Sequence, residues 1–485
     1  MNNFLAIDQG TTSTRAILFD KSLNVVNSFS EKLATSFPNS GWVEQEPLKI
    51  LQSVKNTINK TASIDIVGIG ITNQRETVVI WDRSTGLPIY NAIIWQDRRT
   101  AVRCAELKKM GYEKFIKEKT GLLLDPYFSA TKICWILDNI PKARADAENG
   151  KLAFGTIDSF LLWHLTNGRV HATDATNASR TMLYNIFEGK WDSELLKLFN
   201  IPESILPLVK DSSSDFSETS ITGTNVPIRA MIGDQQAAAI GLGCFKPGMI
   251  KATFGTGCFA LLNTGFIPKK SQSNLITTIA YQFEGKASYA LEGSIFNVGT
   301  IIDWLKNNMN FINDYNELEG LINNSNKPNE VIFIPAFTGL GAPYWDSQCR
   351  GAIFGLERST TINDIAKAAL QSITFQARDL FNAMCSDYLD QKLEILKVDG
   401  GVCRNNWLMQ NLSNQIGIKV ERPLNIEASA VGVAFLTGLS LGYFSDLTDL
   451  EKILQKDMVF NPVSNRFAID TDYANWEKAV KKLLS

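Results

Sequence analysis

The segment Asp8–Ser13 (DQGTTS) lies between two apolar runs of strand type and is followed by Arg15. A tight turn that contains glycine lets backbone N–H groups approach phosphate oxygens, and the hydroxyl groups add further donors. A carboxylate at the end of a strand can hold Mg²⁺ through water. The segment therefore has the chemistry of a phosphate-binding loop, although an ordinary hairpin of turn-forming residues shows the same pattern.

Two further glycine turns could also approach phosphate groups. Phe254–Cys258 (FGTGC) separates two predicted strands in the second half of the chain, and Asp399–Gly401 (DGG) follows another predicted strand. Three such turns together favour nucleotide binding over an ordinary hairpin at Asp8–Ser13. The pattern GxxxxGK[ST] is absent from the sequence, so a P-loop nucleotide fold is not expected.

Asp234 is the candidate for chemistry on an acceptor molecule. It lies between the strand-like run PIRAMIG and the helical run QQAAAIGLG, where a strand end faces a cleft and a helix N-terminus stabilises negative charge. A carboxylate suits phosphoryl transfer to a hydroxyl group, because the loose transition state requires little base strength. A simple helix N-cap uses the same residue type, so both interpretations stay open at this point.

The tetrapeptide NQRE supplies donors and acceptors suited to a small polyol. Arg75 can donate to two hydroxyl oxygens while Glu76 accepts hydroxyl protons. A solvated turn is the alternative interpretation of this tetrapeptide. Trp95, Tyr127 and Phe259 could cover the C–H edges of such a polyol, although aromatic residues are more often part of a core.

The composition restricts the class of protein. A chain of 485 residues with 45% apolar and 20% charged residues is typical of a globular protein with two or more domains. A net charge of −2 without a basic run argues against a nucleic-acid partner. Seven scattered cysteines without a CxxC pair, and only two histidines, argue against a zinc site and favour a reducing compartment.

Two apolar segments bear on the relation to membranes. Asp8 interrupts the first apolar run, so a signal peptide is not predicted and we expect the protein in the cytoplasm. The uncharged stretch from Ala428 to Ser445 approaches the length of a membrane span but is rich in Gly, Ser and Thr. We predict a buried core helix here, and no stable membrane insertion.

The elements that must position these residues alternate between strands and helices, which predicts an α/β protein. The first thirty residues read as an antiparallel meander, and a new hairpin begins after Pro247. Each half contains a strand, a turn of small residues and a second strand, which predicts a duplicated architecture. We predict domains at residues 1–246 and 247–485, with a cleft between them.

The order of the motifs resembles the FGGY carbohydrate kinase family of the actin-like ATPase superfamily. The resemblance implies two actin-like, ribonuclease H-like domains that close over ATP, the first binding glycerol and phosphate and the second the adenine nucleotide. NQRE, WQDRR and DPYFSATK resemble the glycerol kinases of this family. The matching motifs are DQGTTSTR, GITNQRE, IYNAIIWQDRRT, DPYFSATKICWILD, DATNASRTML, GDQQAA, FGTGCF, PAFTGLGAPYWD, RGAIFGL and VDGG.

The resemblance implies transfer of the γ-phosphate of MgATP to glycerol, giving sn-glycerol 3-phosphate and ADP in glycerol catabolism, with Asp234 as catalytic base. It also implies a homodimer or homotetramer. Glycerol is then expected to contact Arg75, Glu76, Trp95, Tyr127, Asp234, Gln235 and Phe259. ATP is expected to contact Thr11, Thr12, Ser13, Arg15, Thr256, Gly299, Gly401 and Asn405, with Asp8 serving Mg²⁺.

The sequence departs from the family at several points. Asp303 stands where many members have Gln, and Arg404 stands where small residues are common, so neither is assigned to the site. The segment before Asp234 lacks the Gly-Gly-Thr-Arg loop with which some bacterial members bind fructose 1,6-bisphosphate, so we do not expect that regulation. A kinase of another small polyol or ketose, and a non-catalytic actin-like nucleotide-binding protein, remain the alternatives.

Overall fold

The computed structural model describes residues 2–62, 65–325, 331–346, 348–388 and 393–485. The strands before residue 247 are β1 (Asn3–Gln9), β2 (Ser13–Phe19), β3 (Val25–Lys32), β4 (Glu44–Gln45), β5 (Ile66–Asn73), β6 (Val79–Asp82), β7 (Ala92–Ile93), β8 (Leu152–Gly155), β9 (Ala172–Asp174), β10 (Tyr184–Asn185), β11 (Lys190–Trp191), β12 (Leu208–Lys210), β13 (Glu218–Thr219) and β14 (Val226–Gly233). The helices are α1 (Pro47–Thr61), α2 (Ala101–Lys109), α3 (Tyr112–Thr120), α4 (Ser129–Asn139), α5 (Ala143–Glu148), α6 (Ile157–Leu165), α7 (Ala175–Ala178), α8 (Ser193–Phe199) and α9 (Asp234–Gly241).

The second half of the chain also mixes strands and helices. Its strands are β15 (Ile250–Phe254), β16 (Cys258–Gly265), β17 (Ile276–Phe283), β18 (Lys286–Ile295), β19 (Ile332–Ile334), β20 (Ala352–Phe354), β21 (Ile395–Asp399), β22 (Lys419–Pro423) and β23 (Lys456–Phe460). Its helices are α10 (Gly299–Asn307), α11 (Leu318–Asn323), α12 (Ile362–Asp387), α13 (Asn406–Ile416), α14 (Ala428–Ser440), α15 (Thr448–Ile453) and α16 (Phe467–Leu484). The predicted α/β class is confirmed.

Each half is built on one large sheet, and the two sheets share a topology. The first has the order β13-β14-β5-β1-β2-β3, in which β1, β5 and β14 are parallel and β2 and β3 continue as the predicted antiparallel meander. The second has the order β17-β18-β16-β15-β21-β22-β23, with β15, β21 and β22 parallel and β16 and β18 antiparallel beside them. This equivalence confirms the predicted duplication.

Residues 4–7 of strand β1 form an unbroken apolar run because both faces of the sheet are covered there. Leu5 and Ile7 belong to a core shared with α1 and α6, whereas Phe4 and Ala6 pack against residues of α14, a helix from the second half of the chain. Parallel central strands that are buried on both faces read as continuous apolar runs. The core around α14 therefore joins the two halves.

Helices α9 and α14 cross so closely that their backbones touch. A Cβ atom on Gly241 of α9 would lie 2.0 Å from the carbonyl oxygen of Ala428. A Cβ atom on Gly432 of α14 would lie 2.0 Å from the carbonyl oxygen of Ala237. The contact is thus reciprocal between two helices that follow β14 and β22, the equivalent strands of the two sheets.

Residues 428–440 form a buried core helix, as the sequence predicts. Ten of the thirteen residues of α14 are buried, and the helix packs against α9 and against β1, β5 and β14 of the first sheet. Within the described part of the chain, no helix combines the length and the apolar character that crossing a bilayer requires.

We expect Gly432→Ala to destabilise the protein strongly. The new methyl group must push apart two helix backbones, and such overpacking typically costs about 1–3 kcal/mol or more. Gly320→Ala in α11 is the matched control, because a Cβ at Gly320 meets open space and alanine favours a helix by about 0.5–1 kcal/mol. Urea unfolding curves of the two variants measure this, and equal midpoints would contradict a tight crossing.

Candidate active site

The motif-bearing loops meet at one edge of the first sheet because they follow parallel strands in register. Asp8 of β1 lies opposite Thr72 of β5, and Gly233 of β14 lies opposite Asn73. The segments that follow these strands therefore leave the sheet side by side. This places Arg75, which follows β5, within an ion-pair distance of 3.3 Å from the carboxylate of Asp234.

Arg75 and Glu76 belong to a buried network of charges. The guanidinium of Arg75 donates to both carboxylate oxygens of Glu292, at 2.6 and 3.2 Å. Arg180 donates to Glu292 at 2.8 Å and to Glu76 at 2.6 Å. Because only 3% of Arg75 and 1% of Glu76 is exposed, the solvated-turn interpretation of NQRE is wrong.

Glu76 also has an unusual backbone conformation. Its φ angle is +61°, although it is a buried residue other than glycine. Such conformations cost about 1–3 kcal/mol and concentrate at functional sites, where surrounding contacts hold them. Here the carbonyl oxygen of Glu76 accepts a hydrogen bond from the hydroxyl of Ser129, and its carboxylate is held by Arg180.

Asp234 is the first residue of α9, and it does not cap that helix. The N-cap position is occupied by Gly233 without a side-chain bond, so the simple N-cap interpretation is wrong. The Oδ1 atom of Asp234 accepts from the backbone N–H of Gln235 at 2.7 Å and faces Arg75. The side chain of Asp234 is 27% exposed, so the carboxylate is open to a ligand in the cleft.

The three aromatic residues singled out in the sequence form one wall. The ring of Trp95 lies 5.8 Å from that of Tyr127 and 6.0 Å from that of Phe259, in edge-to-face geometry in both cases. All three rings are only half-buried, so they retain a surface toward the cleft. The indole N–H of Trp95 donates to the hydroxyl of Thr11 at 2.9 Å, which joins this wall to the predicted phosphate loop.

The loop Asp8–Ser13 is a tight hairpin connection between β1 and β2. The N–H of Gly10 donates to the carbonyl oxygen of Ser13 at 3.0 Å, and Thr12 is exposed at the tip. Arg15, on β2, pairs with Glu427 at the start of α14. Arg15 therefore reaches the second half of the chain, a contact that the sequence motifs do not indicate.

The predicted nucleotide residues of the second half form two neighbouring groups. Gly299, at the start of α10, touches the turn between β15 and β16, and a Cβ there would lie 3.3 Å from the Cα atom of Thr256. The turn after β21 packs on the end of β15, because a Cβ on Gly400 would lie 2.4 Å from the carbonyl oxygen of Phe254. Gly401 is exposed beside it.

Asn405 has a structural role in addition to its predicted contact with ATP. It is the N-cap of α13, and its Oδ1 atom accepts from the backbone N–H of Leu408 at 2.8 Å. Asp303 and Arg404, which the sequence does not assign to the site, are both exposed, and Asp303 accepts a hydrogen bond from the hydroxyl of Tyr315.

Four carboxylates, those of Asp8, Asp234, Asp399 and Glu427, lie close enough for three of them to act on the charge of Asp8. Burial raises the pKa of Asp8 to about 7, and the negative charges of Asp234, Glu427 and Asp399 add to this while Arg15 opposes it. The Oδ1 atom of Asp399 is buried without a hydrogen-bond partner. In the described chain, no group of three or more His, Cys, Asp and Glu residues is placed to hold a metal ion. Carboxylates such as Asp8 and the unpaired oxygen of Asp399 are of the type that can hold Mg²⁺ through water.

Glu292 and Arg180 were not predicted as part of the site. Glu292 lies on β18 in the second half of the chain, 217 residues from Arg75. The available signal was a single acidic residue within the apolar strand YALEGSI, since charges are rarely buried without a partner. Arg180 lies in the family motif DATNASRTML. There, too, a single charged residue among buried ones indicates that it has a partner inside the protein.

Two family models match the chain in succession. The N-terminal domain of the FGGY family of carbohydrate kinases matches residues 3–241, and the C-terminal domain matches residues 250–441. The chain belongs to the FGGY carbohydrate kinase family. It therefore has the two-domain α/β fold of these actin-like kinases, while the exact boundary at residues 246 and 247 stays a prediction.

Full-length relatives of this FGGY chain include the glycerol kinase of Roseobacter denitrificans, 48% identical, with complete coverage of both chains. Glycerol kinase 1 of Pseudomonas aeruginosa is 50% identical over 99% of both chains. The crystal structure of Plasmodium falciparum glycerol kinase with ADP has a TM-score of 0.94 and 38% identity, covering 100% of this chain and 99% of that one. A xylulose kinase from Lactobacillus acidophilus, with a TM-score of 0.91 and 21% identity, shares the fold.

We expect Asp8→Asn to stabilise the ligand-free protein strongly at pH 8 and much less at pH 4. An aspartate of the unfolded chain ionises at about pH 4, whereas folded Asp8 keeps its proton until about pH 7 because its pKa is raised. The penalty on the folded state therefore grows as the pH rises from about 4 to about 7, and it is small at pH 4. Asparagine removes the penalty at every pH.

Thermal unfolding in the presence of a chelator and without nucleotide measures this difference. We expect the variant to melt at least about 2 °C above the wild type at pH 8. The exposed Glu284→Gln substitution is the control and should give the same small change at both pH values. A variant that melts below the wild type at pH 8 would show that Asp8 has compensating partners in the empty cleft.

Proposed function

We propose that this protein is a glycerol kinase, which transfers the γ-phosphate of MgATP to glycerol and forms sn-glycerol 3-phosphate and ADP. The observation that carries the proposal is the hydrogen bond from the indole of Trp95, in the proposed acceptor site, to the hydroxyl of Thr11, in the proposed phosphate loop. The identities of 48% and 50% to full-length glycerol kinases support the choice of acceptor. We also propose a cytoplasmic homodimer or homotetramer engaged in glycerol catabolism.

The acceptor side has the groups that a three-carbon polyol requires. Arg75 and Glu76 supply a donor and an acceptor for hydroxyl groups, and the wall of Trp95, Tyr127 and Phe259 covers the C–H edges. Such a wall also limits the size of the acceptor. A site with fixed polar partners rejects a ligand that leaves them unpaired, because unpaired buried polar groups are costly.

In the proposed reaction, the carboxylate of Asp234 accepts the proton of the terminal hydroxyl as the new O–P bond forms. The bond between the γ-phosphorus and the bridging oxygen of ADP breaks at the same time, so ADP leaves with the electron pair. The Thr11–Ser13 turn, Arg15 and Thr256 donate to the phosphate oxygens. Asp8 is the residue that would hold Mg²⁺ through water, and the ion would supply neutralisation of the phosphate charge.

A coupled assay of ADP release tests the proposed acceptor. We expect glycerol to give a specificity constant kcat/KM at least about 100-fold above that of xylulose, measured side by side with the same protein. Preference for xylulose or dihydroxyacetone would identify a kinase of a different small acceptor. ADP release that does not respond to any of these acceptors would contradict kinase activity toward small polyols and ketoses.

We expect Asp234→Asn to lower kcat by about 10²–10⁴-fold, because a positioned general base contributes that much to a rate. The substitution keeps the shape of the side chain and its acceptor for the N–H of Gln235, so the fold should persist. Asp303→Asn, at an exposed position in the middle of α10, is the matched control and should retain full turnover. If Asp234→Asn kept more than a tenth of normal turnover, Asp234 would not be the base.

A further inference from the structure

Lys251, on β15, is a buried cation that the proposed reaction does not use. Its side chain is fully enclosed, with 0% of the residue exposed. Removing an ammonium group from water is costly, so a buried lysine is retained where its charge and its donors have specific partners. Within the described residues, Lys251 donates three hydrogen bonds, all to uncharged oxygens.

Two of these three partners belong to the acceptor site. The Nζ atom of Lys251 donates to Oε1 of Gln235 at 2.5 Å and to the carbonyl oxygen of Phe259 at 3.4 Å. The third partner is the hydroxyl of Thr253 on the same strand, at 2.9 Å. A single ammonium group in the second half of the chain thus links the helix that carries Asp234 to the strand that carries one ring of the wall.

Gln235, which Lys251 holds, is bonded in turn to Asp234, the proposed base. The backbone N–H of Gln235 donates to Oδ1 of Asp234 at 2.7 Å. A fixed Gln235 side chain therefore restrains the first turn of α9, where the base begins the helix. The charges that act on Lys251 are those of Asp399 on β21, Glu292 on β18, Asp234 at the start of α9 and Arg75 after β5.

The charge of Lys251 also acts on this group of residues. Burial lowers the pKa of Lys251, whereas Asp399, Asp234 and Glu292 raise it. In return, burial raises the pKa of Asp234, and the positive charges of Arg75 and Lys251 oppose that rise. The geometry and the charge of Lys251 thus act on the same base.

We propose that Lys251 is a positioning residue for acceptor binding, which holds the Gln235 side chain and the Phe259 carbonyl so that the acceptor hydroxyl is presented to Asp234. The inference rests on the proposed function and deepens it. It requires no further chemical step, because Lys251 neither gains nor loses a covalent bond. It assigns to the second half of the chain a direct part in building the acceptor site of the first half.

Lys251→Met is the primary test, because methionine fills a similar volume without charge or donors. We expect the KM for glycerol to rise at least tenfold while the KM for ATP changes less than twofold. Lys397→Met is the matched control, since Lys397 lies opposite Lys251 in the register of β15 and β21 but donates to the carbonyl oxygen of Leu242, at 2.8 Å, rather than to a residue of the proposed acceptor site. The control should leave both KM values within twofold of wild type.

A double-mutant cycle with Gln235→Ala separates positioning from a general loss of structure. If Lys251 acts through Gln235, then Lys251→Met should raise the glycerol KM less than about threefold in the Gln235→Ala background, because interacting residues are not additive. Equal effects of Lys251→Met in both backgrounds would overturn the inference. An unchanged glycerol KM in the single variant would overturn it as well.

Thr253→Val covers the case in which Lys251→Met does not fold. It removes one of the three partners of Lys251 and should raise the glycerol KM in the same direction by a smaller factor; an unchanged KM would count against the inference. Failure of the proposed function is distinguishable, because it would show in the wild-type protein as ADP release that ignores glycerol. Failure of the Lys251 inference would show only in the variants, with normal wild-type kinetics.

Discussion

The architecture depends on the crossing of α9 and α14, where Gly241 and Gly432 let two helix backbones touch. Each helix follows the third parallel strand of its sheet, so the crossing brings the two duplicated halves together at equivalent points. It also fixes where the helices begin. Asp234 starts α9 and Glu427 precedes α14, and the partial positive charge of a helix N-terminus favours anionic groups at both places.

The two sides of the cleft differ in how their charges are balanced. On the acceptor side, Arg75 and Arg180 are paired with Glu76 and Glu292 at hydrogen-bond distance, so the buried charges compensate one another. Removing one member of such a buried network leaves another uncompensated, which typically costs about 3–5 kcal/mol. The acceptor side is therefore organised before any ligand arrives.

On the phosphate side, carboxylates outnumber cations in the ligand-free protein. Asp8, Asp399 and Glu427 lie near one another with Arg15 as the main opposing charge, which is why the pKa of Asp8 rises. This arrangement is unfavourable in isolation and becomes favourable when a cation enters. In the proposed reaction, a divalent cation bound together with ATP would supply this compensation.

The sequence predicted best those features that are set by residues next to one another in the chain. The α/β class, the duplication and the core helix at residues 428–440 followed from local patterns and small-residue turns. Two questions stayed open: whether Asp234 is only a helix cap, and whether NQRE is only a solvated turn. Both depend on which distant residues surround these positions, and the local sequence does not show that. Contacts between remote segments had no local pattern: Glu292 meets Arg75, and Lys251 meets Gln235, across the two halves.

Even these remote contacts had a sequence signal of a general kind. Glu292 and Lys251 are single charges within the apolar strands YALEGSI and IKATF, where a buried charge requires a partner. The signal identifies the residue but not its partner, because the strand order that brings them together is set by the fold. Both strands belong to the second sheet, yet both charges serve residues of the first half. In the proposed site, the second half of the chain therefore supplies part of the acceptor pocket. The same packing that joins the two halves also positions Arg75, Gln235 and the aromatic wall.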